Sequence, residues 1–420
     1  MRRLVFHVDV NSAFLSWEAA RRVANGEPDL RLVPSAVGGD RDKRTGVILA
    51  KSIPAKRFGI KTGEPVSAAL RKCPGLVLVK PDFRLYGSCS RAFMDICREY
   101  TPVVEKFSID ECFLDMTGTD RLYPDPIATA SEIKNKIRDT LGFTVNIGVA
   151  ENKLLAKMAS DFEKPDRVHT LFADEIQSKL WPLPVRDLFS IGAATAERLE
   201  RAYIMTIGDL AAADLSRVQR LVGMKMGEHI WRYANGIDDS PVSDVPDEVK
   251  GYSNSTTLAE DVTTTAEARR VILALADSVA SRMRADGMKT CCVSVTVRSN
   301  DFRDRSHQRK LTAATDITDE IYDVSKQLLS ELWDGRTPLR LLGVAVSDLT
   351  RDEAAQISMF SDADRERARQ VDRAVDAIRR SFGSDTIVRG SSYRSDINVG
   401  KKYKAQLDEK TSDKANKKEK

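Results

Sequence analysis

Val103-Val104-Glu105-Lys106-Phe107-Ser108-Ile109-Asp110-Glu111-Cys112-Phe113-Leu114-Asp115 is the stretch that decides the fold class. Two short strand-like runs, 103–107 and 112–115, flank Ser108-Ile109-Asp110-Glu111, so the pattern predicts an antiparallel hairpin. A doubly wound sheet joins its parallel strands through helices and has little place for one. Upstream, residues 4–10 read as a buried strand with one acid, Asp9, near its end. Residues 12–24 have helical spacing, with Phe14, Leu15 and Trp17 among alanines. A strand pair around Gly38-Gly39-Asp40 and Gly46, a strand at 75–81 and a helix at 85–99 come before the hairpin. A helix at 127–141, a strand at 144–149 and a helix at 153–161 come after it. Helices and strands that alternate around a hairpin predict an α+β fold with a mixed sheet.

From Thr170 to Gly236 the pattern is helical, with short glycine-bearing turns. Two of them match: Leu188-Phe189-Ser190-Ile191-Gly192 before a helix at 193–202, and Leu221-Val222-Gly223-Met224 before one at 227–234. A hydrophobic-glycine turn opening a helix is the pattern of a helix-hairpin-helix, which aims backbone N–H groups at a phosphate. Residues 238–250 are polar, carry two prolines and read as a linker. Beyond them strands at 253–258, 291–298, 308–313 and 339–347 and helices at 265–286 and 317–333 give the order βαββαβ, a ferredoxin-like split motif. Residues 401–420 are low in complexity and expected to be disordered.

The chain has 420 residues, 42% hydrophobic and 30% charged, with a mean hydropathy of −0.34. That composition excludes wholesale disorder, and no apolar run approaches the roughly 20 residues that span a bilayer. The start resembles a signal peptide only until His7 and Asp9, so export is not expected. Six cysteines without a CxxC pair and four scattered histidines give no zinc pattern and fit reduced thiols in a cytoplasm. A metal here must therefore be held by oxygen. The net charge of +4 equals the excess of residues 401–420, which carry eight Lys against four acids. Within the neutral remainder, residues 11–77 hold twelve Lys/Arg against six Asp/Glu, and 298–310 hold five against two. Such patches suit a polyanion gripped at defined places, and they also suit solvated charged faces.

Asp9 at a strand end and Asp110-Glu111 in the hairpin stand about 100 residues apart, and each interrupts an apolar strand. Hard divalent ions such as Mg²⁺ take carboxylate oxygens, and two-metal phosphoryl transfer needs acids from separate strands converging on one point.

Three blocks carry a resemblance. Phe6-His7-Val8-Asp9-Val10-Asn11-Ser12-Ala13-Phe14, Ser108-Ile109-Asp110-Glu111-Cys112-Phe113-Leu114-Asp115 and Gly148-Val149-Ala150-Glu151-Asn152-Lys153-Leu154-Leu155-Ala156-Lys157 occur in this order. Each resembles a signature block of the Y-family (translesion) DNA polymerases, most of all the bacterial group. Lys56-Arg57-Phe58-Gly59-Ile60-Lys61 and Lys164-Pro165 fit further blocks, and the likeness spans about residues 1–400. It implies a right-handed polymerase: palm at 1–10 and 78–166, fingers at 11–77, helical thumb at 167–240, linker at 241–249 and little finger at 250–350. Asp9, Asp110 and Glu111 would be catalytic carboxylates holding two Mg²⁺ ions, with the Val10 carbonyl completing a shell. Asn11, Ser12, Ala13 and Phe14 would bind the triphosphate and sugar, Phe14 as a steric gate against a 2′-OH. The other reading of Phe14 is a core aromatic. Lys56 and Lys164 would hold the triphosphate. Many members carry a Tyr and then an Arg three residues later where this chain has Ile53 and Lys56, and Ile53 cannot bond a phosphate. Lys153 and Lys157 read as DNA-facing or structural charges.

Gln356-Ile357-Ser358-Met359-Phe360 resembles the bacterial sliding-clamp-binding peptide, with Gln356, Met359 and Phe360 as its anchors. The resemblance therefore implies primer-template DNA, deoxynucleoside triphosphates and the clamp as partners, and a monomer in the cytoplasm at the nucleoid. No second acidic set suggests proofreading. An inactive DNA- and clamp-binding relative and a nucleotide cyclase with a palm-like fold are the rivals. The complete set Asp9, Asp110, Glu111 argues against the first, and the paired turns against the second.

Overall fold

The computed structural model describes residues 3–39, 46–245, 248–351, 362–383, 386, 387 and 389. The chain divides near residue 246 into two compact units.

In the first unit the apolar run that Asp9 interrupts becomes Val5–Val10 (β1), and Ala13–Ala24 (α1) follows it at once. Ser35–Gly38 (β2) and Ile48–Lys51 (β3), the short Ile53–Lys56 (α2), Val66–Lys72 (α3) and Val77–Val79 (β4) form a small three-stranded layer in the order β3-β2-β4. Its own core is Ala36, Ile48, Ala55, Ile60, Val66 and Ala69. Phe83–Arg98 (α4) leads to the hairpin, Val104–Lys106 (β5) and Glu111–Asp115 (β6). Pro126–Leu141 (α5), Val145–Ala150 (β7), Lys153–Ser160 (α6) and Val168–Leu171 (β8) complete a five-stranded sheet in the order β5-β6-β1-β7-β8. β1 pairs antiparallel with β6 and β7, and β8 lies parallel to β7, so the sheet is mixed as expected.

Strand alternation sorts β1 into two sets. Phe6, Val8 and Val10 join one core with side chains of α1, α4 and α5. Val5 joins the other core with α6, so His7 and Asp9 share the α6 side. α6 comes very close to the sheet at Gly148, where an added Cβ would lie 1.9 Å from the Ala156 carbonyl oxygen.

β8 corrects the sequence reading, which begins the helical part at Thr170. The β-branched and apolar Val168, Thr170 and Leu171 extend the sheet instead, and Leu171 is fully buried. Helices Ala193–Arg201 (α7), Ile207–Ala212 (α8), Leu215–Val222 (α9) and Met224–Ala234 (α10) follow, sharing Leu199, Ile207, Leu210, Val218 and Ile230 in one core.

The second unit runs Gly251–Val262 (β9), Thr265–Ala285 (α11), Lys289–Ser299 (β10), Asp304–Thr315 (β11), Thr318–Leu332 (α12) and Leu339–Thr350 (β12). The βαββαβ order holds in an antiparallel sheet arranged β11-β10-β12-β9. Both crossovers are split, with β12 between β9 and β10 and β10 between β11 and β12. The centre falls to β10 and β12 because Val293, Val295, Val297, Leu342, Val344 and Val346 bury there. Polar β11 is left at an edge. A further helix, Asp362–Phe382 (α13), was not read from the sequence. Its Asp372 accepts the Thr318 amide of α12 at 2.8 Å and pairs with Arg284 of α11 at 3.1 Å. That side chain supplies the cap that Ile317, at the N-cap position, cannot provide. Gln356, Met359 and Phe360 of the clamp-like peptide, and the tail 401–420, lie outside the described residues.

Candidate active site

Asp9 and Glu111 face each other in register across β1 and β6, so both carboxylates stand on the same side of the sheet. Each has one lysine. Lys164 Nζ lies 3.0 Å from Asp9 Oδ1, and Lys157 Nζ lies 2.8 Å from Glu111 Oε1. Burial pushes the Asp9 carboxyl up to about 7. A hydrogen bond with Glu111 pushes it the same way, and Lys164 pulls against both. Lys164 itself is raised: burial opposes its charge, and Asp9 and Asp161 outweigh that. Beneath them His7 is held well below the usual imidazole range by burial first, then by Lys157 and Lys164. Its Nδ1 meets Ser160 Oγ at 2.8 Å.

Asp110 is not gathered with the other two. Its backbone oxygen accepts the Val10 N–H at 3.0 Å, which fixes the hairpin tip beside the end of β1. Its carboxylate turns to the Ser108 hydroxyl at 2.7 Å. Among the described residues no three His, Cys, Asp or Glu side chains are close enough to hold a metal ion. Of the three acids, the structure brings the side chains of Asp9 and Glu111 together, and of Asp110 it brings the backbone. Two half-buried carboxyls in contact, one of them pushed up to about 7, still form a hard oxygen donor set. Those residues fit a divalent ion.

The chain leaves β1 through Ser12, which adopts a left-handed conformation with φ 49°. The following helix α1 has no side-chain cap and no acid in its first turn. Its leading amides, around Ala13 and Phe14, are suited to an anion. Asn11 departs from expectation. Its Nδ2 donates to Asn146 Oδ1 at 3.1 Å, and its Oδ1 accepts the Asp166 N–H at 3.0 Å. Its own N–H bonds to the Thr144 oxygen. Asn11 is a structural tie, because its backbone N–H, its Oδ1 and one Nδ2 hydrogen are engaged inside. Phe14 is half-buried and stacks on Tyr86 with ring centroids 4.6 Å apart and planes 15° apart. Trp17 and Phe83 stand near the same ring.

Lys56 ends the short α2, exposed, on the separate three-stranded layer. Lys51 is its neighbour in charge: burial lowers the Lys51 ammonium first, and Lys56 lowers it further. Lys157 is buried on Glu111, which is the structural one of the two readings its sequence allowed. Lys153 is structural, bound to Glu105 at 2.6 Å. At the two matched turns, Gly192 caps α7 and Gly223 caps α10, neither with a side chain.

Residues 8–161 match the model of the impB/mucB/samB family, residues 249–359 its C-terminal domain, and residues 186–238 the thumb domain of DNA polymerase iota. DNA polymerase IV of Clostridium acetobutylicum is 44% identical over 391 residues, covering 93% of this chain and 98% of that protein. The chain belongs to the Y-family of DNA polymerases. DNA polymerase IV of Clostridium kluyveri is 37% identical, covering 95% and 100% of the two chains. DNA polymerase IV 1 of Bacillus subtilis is 35% identical over 94% of each. A solved chimeric Y-family DNA polymerase shares the fold with a TM-score of 0.72 at 24% identity, covering 83% of this chain and all of that one. The protein is thus a multidomain α+β DNA-directed DNA polymerase, a Y-family enzyme of the translesion class that acts on primer-template DNA and deoxynucleotides. Among the described residues no helix is long and apolar enough to cross a membrane.

Proposed function

We propose that this polymerase adds deoxynucleotides by two-metal-ion phosphoryl transfer at Asp9, Asp110 and Glu111. The facing pair Asp9–Glu111, with lysine counter-charges and a carboxyl raised to about 7, carries the reading. Two bound Mg²⁺ ions supply acidification of the primer 3′-OH and neutralisation of the departing pyrophosphate. Asp9, Asp110 and Glu111 would hold them, with the Val10 carbonyl. The first-turn amides at Ser12, Ala13 and Phe14 receive the triphosphate, and Phe14 lies under the sugar. Lys164, already 3.0 Å from Asp9 and also paired to Asp161, exchanges a carboxylate for a phosphate oxygen, and Lys56 meets the same group from α2.

The domain reading is palm from β1 and 78–166, to which β8 adds a strand, then fingers at 11–77, thumb at 167–240 and little finger at 250–350. The glycine-capped starts of α7 and α10 support phosphate contacts by the thumb. We further propose low fidelity without proofreading, a monomer working in the cytoplasm, and recruitment by a sliding clamp through Gln356, Met359 and Phe360. Primer extension with Mg²⁺ on intact and damaged templates tests the core of this. Asp9→Ala and Glu111→Ala should abolish addition and leave primer-template binding nearly intact, and residual extension within about tenfold of wild type removes the metal assignment.

A further inference from the structure

Lys157 is the more buried of the two lysines paired with the acids of the site. Its side chain is 10% exposed, and its Nζ lies 2.8 Å from Glu111 Oε1. The rest of its surroundings is aromatic: the Phe107 ring centroid is 5.5 Å away and that of Phe189 5.4 Å. The two rings also meet each other, 6.1 Å apart and near edge-on, and Phe107 meets Phe113 of β6 at 5.4 Å. Such faces attract a cation, and they give it no second anion to move to. Lys164 differs. It is one-third exposed and divides itself between Asp9 and Asp161.

Helix α6 cannot slide to carry Lys157 elsewhere, since Gly148 lets it press directly on β7. Phe189 belongs to the first of the two matched turns, and its N–H donates to Met158 Sδ of α6 at 3.4 Å. One side of Lys157 therefore touches the turn that opens α7, and the other touches a carboxylate of the reaction centre.

We infer that Lys157 is a positioning residue for the reaction: it fixes the Glu111 carboxylate, committing Oε1 and leaving Oε2 for a metal ion, with its own place set by Phe189. The inference rests on the reading of Glu111 as a metal ligand. With one oxygen anchored, Glu111 presents a single donor in one orientation. Without the ammonium, the carboxylate is free to rotate and is left beside Asp9 with one counter-charge fewer. Outer partners that orient a metal ligand are worth about 10–100-fold in metal affinity or activity.

Lys157→Met keeps the length and apolar stem and removes the charge. Its Mg²⁺ affinity, measured calorimetrically on the full chain without nucleotide, should fall about tenfold, and kcat should fall with it. The KM for deoxynucleotide and the Kd for primer-template should stay within about twofold, because Lys157 reaches neither. Phe189→Leu keeps the ion pair and removes the ring, and it carries the test if Lys157→Met does not fold. It should weaken Mg²⁺ binding by a few-fold, and by nothing further in a Lys157→Met background. A Lys157→Met protein that melts lower but binds Mg²⁺ as wild type, or a Phe189→Leu effect that adds fully to it, overturns the inference. Glu111→Gln serves as the separate control. If it binds Mg²⁺ normally, the ligand assignment of Glu111 has failed, whatever Lys157 does.

Discussion

Asp9 keeps its proton at pH 6 in the metal-free fold, because burial raises its carboxyl from 3.8 to about 7. A raised acid in the folded state binds protons more tightly than the unfolded chain. Its contribution to stability is complete below pH 4 and lost as pH rises towards 7. Above that, the Asp9 charge stands beside Glu111, with Lys164 and Lys157 paired to the two acids and His7 neutral. Mg²⁺ should therefore raise the melting temperature more at pH 8 than at pH 6. At pH 6 its binding should also release a proton. Thermal scans at both pH values, with calorimetry in two buffers of different ionisation enthalpy, read the two effects. Asp9→Asn should erase them, and equal shifts at both pH values would detach Asp9 from the ion. Phe14 calls for a different readout, because the stack on Tyr86 makes it both wall and core. Truncating a half-buried ring should cost about 2 kcal/mol of stability, less than a fully buried Phe→Ala. A steric clash with one hydroxyl is a separate effect, and about 3 kcal/mol of it is worth two decades in rate. Phe14→Ala should thus melt lower and also raise ribonucleotide use about 100-fold relative to deoxynucleotide. Lower melting with an unchanged sugar ratio would leave Phe14 a core residue only.

Helix α6 shows how a site is set by one approach between elements. Because a Cβ on Gly148 would lie 1.9 Å from the Ala156 oxygen and 2.6 Å from the Ser160 nitrogen, Gly148→Ala must push α6 outward. The displaced groups are backbone, so they cannot yield as a side chain tip does. The variant should lose about 1–3 kcal/mol or more, as overpacked cores do, and nucleotide addition should fall with the Lys157–Glu111 pair. Denaturant titration and primer extension measure both, and a variant of wild-type stability would refute the tight approach. In the sequence this glycine was visible as one residue of an apolar strand and as the start of the third signature block, with no sign of the close approach of α6. The hairpin at 107–111, the position of β1 and the βαββαβ order were legible, since period-two runs and turn residues are local signals. The facing of Asp9 and Glu111 needed the long-range pairing of β1 with β6 as well. What was illegible depends on distant partners: the parallel pairing of β8, the internal role of Asn11, the turn of Asp110 towards Ser108, and the capping of α12 by Asp372 from α13.

The acids of the proposed reaction centre lie in the first compact unit, and the basic edge strand β11 lies in the second. Arg305 is exposed there, as are Arg303 and Lys310, which keep weak surface pairs with Asp301 at 3.1 Å and Asp348 at 3.3 Å. Exposed pairs of this kind are worth about 0–1 kcal/mol, so phosphates can displace them at little cost. Chemistry and grip should therefore separate by mutation. Replacing Arg303, Arg305 and Lys310 together by alanine removes three cations from one polar edge whose residues 304–308 are all exposed, so the sheet centre at β10 and β12 is not disturbed. Primer-template affinity should fall by one decade or more at about 0.1 M salt. The slope of log affinity against log salt should shrink by about 0.9 for each phosphate that the variant no longer neutralises. The Mg²⁺-dependent rise in melting temperature should not change, because the three residues belong to the second unit and Asp9 to the first. Glu111→Ala should give the mirror result: a normal salt slope, no Mg²⁺ response and no addition. A triple variant with the wild-type salt slope would mean that these three residues do not hold DNA, and the affinity would then have to come from other cations, with Lys56 and the starts of α7 and α10 among the candidates.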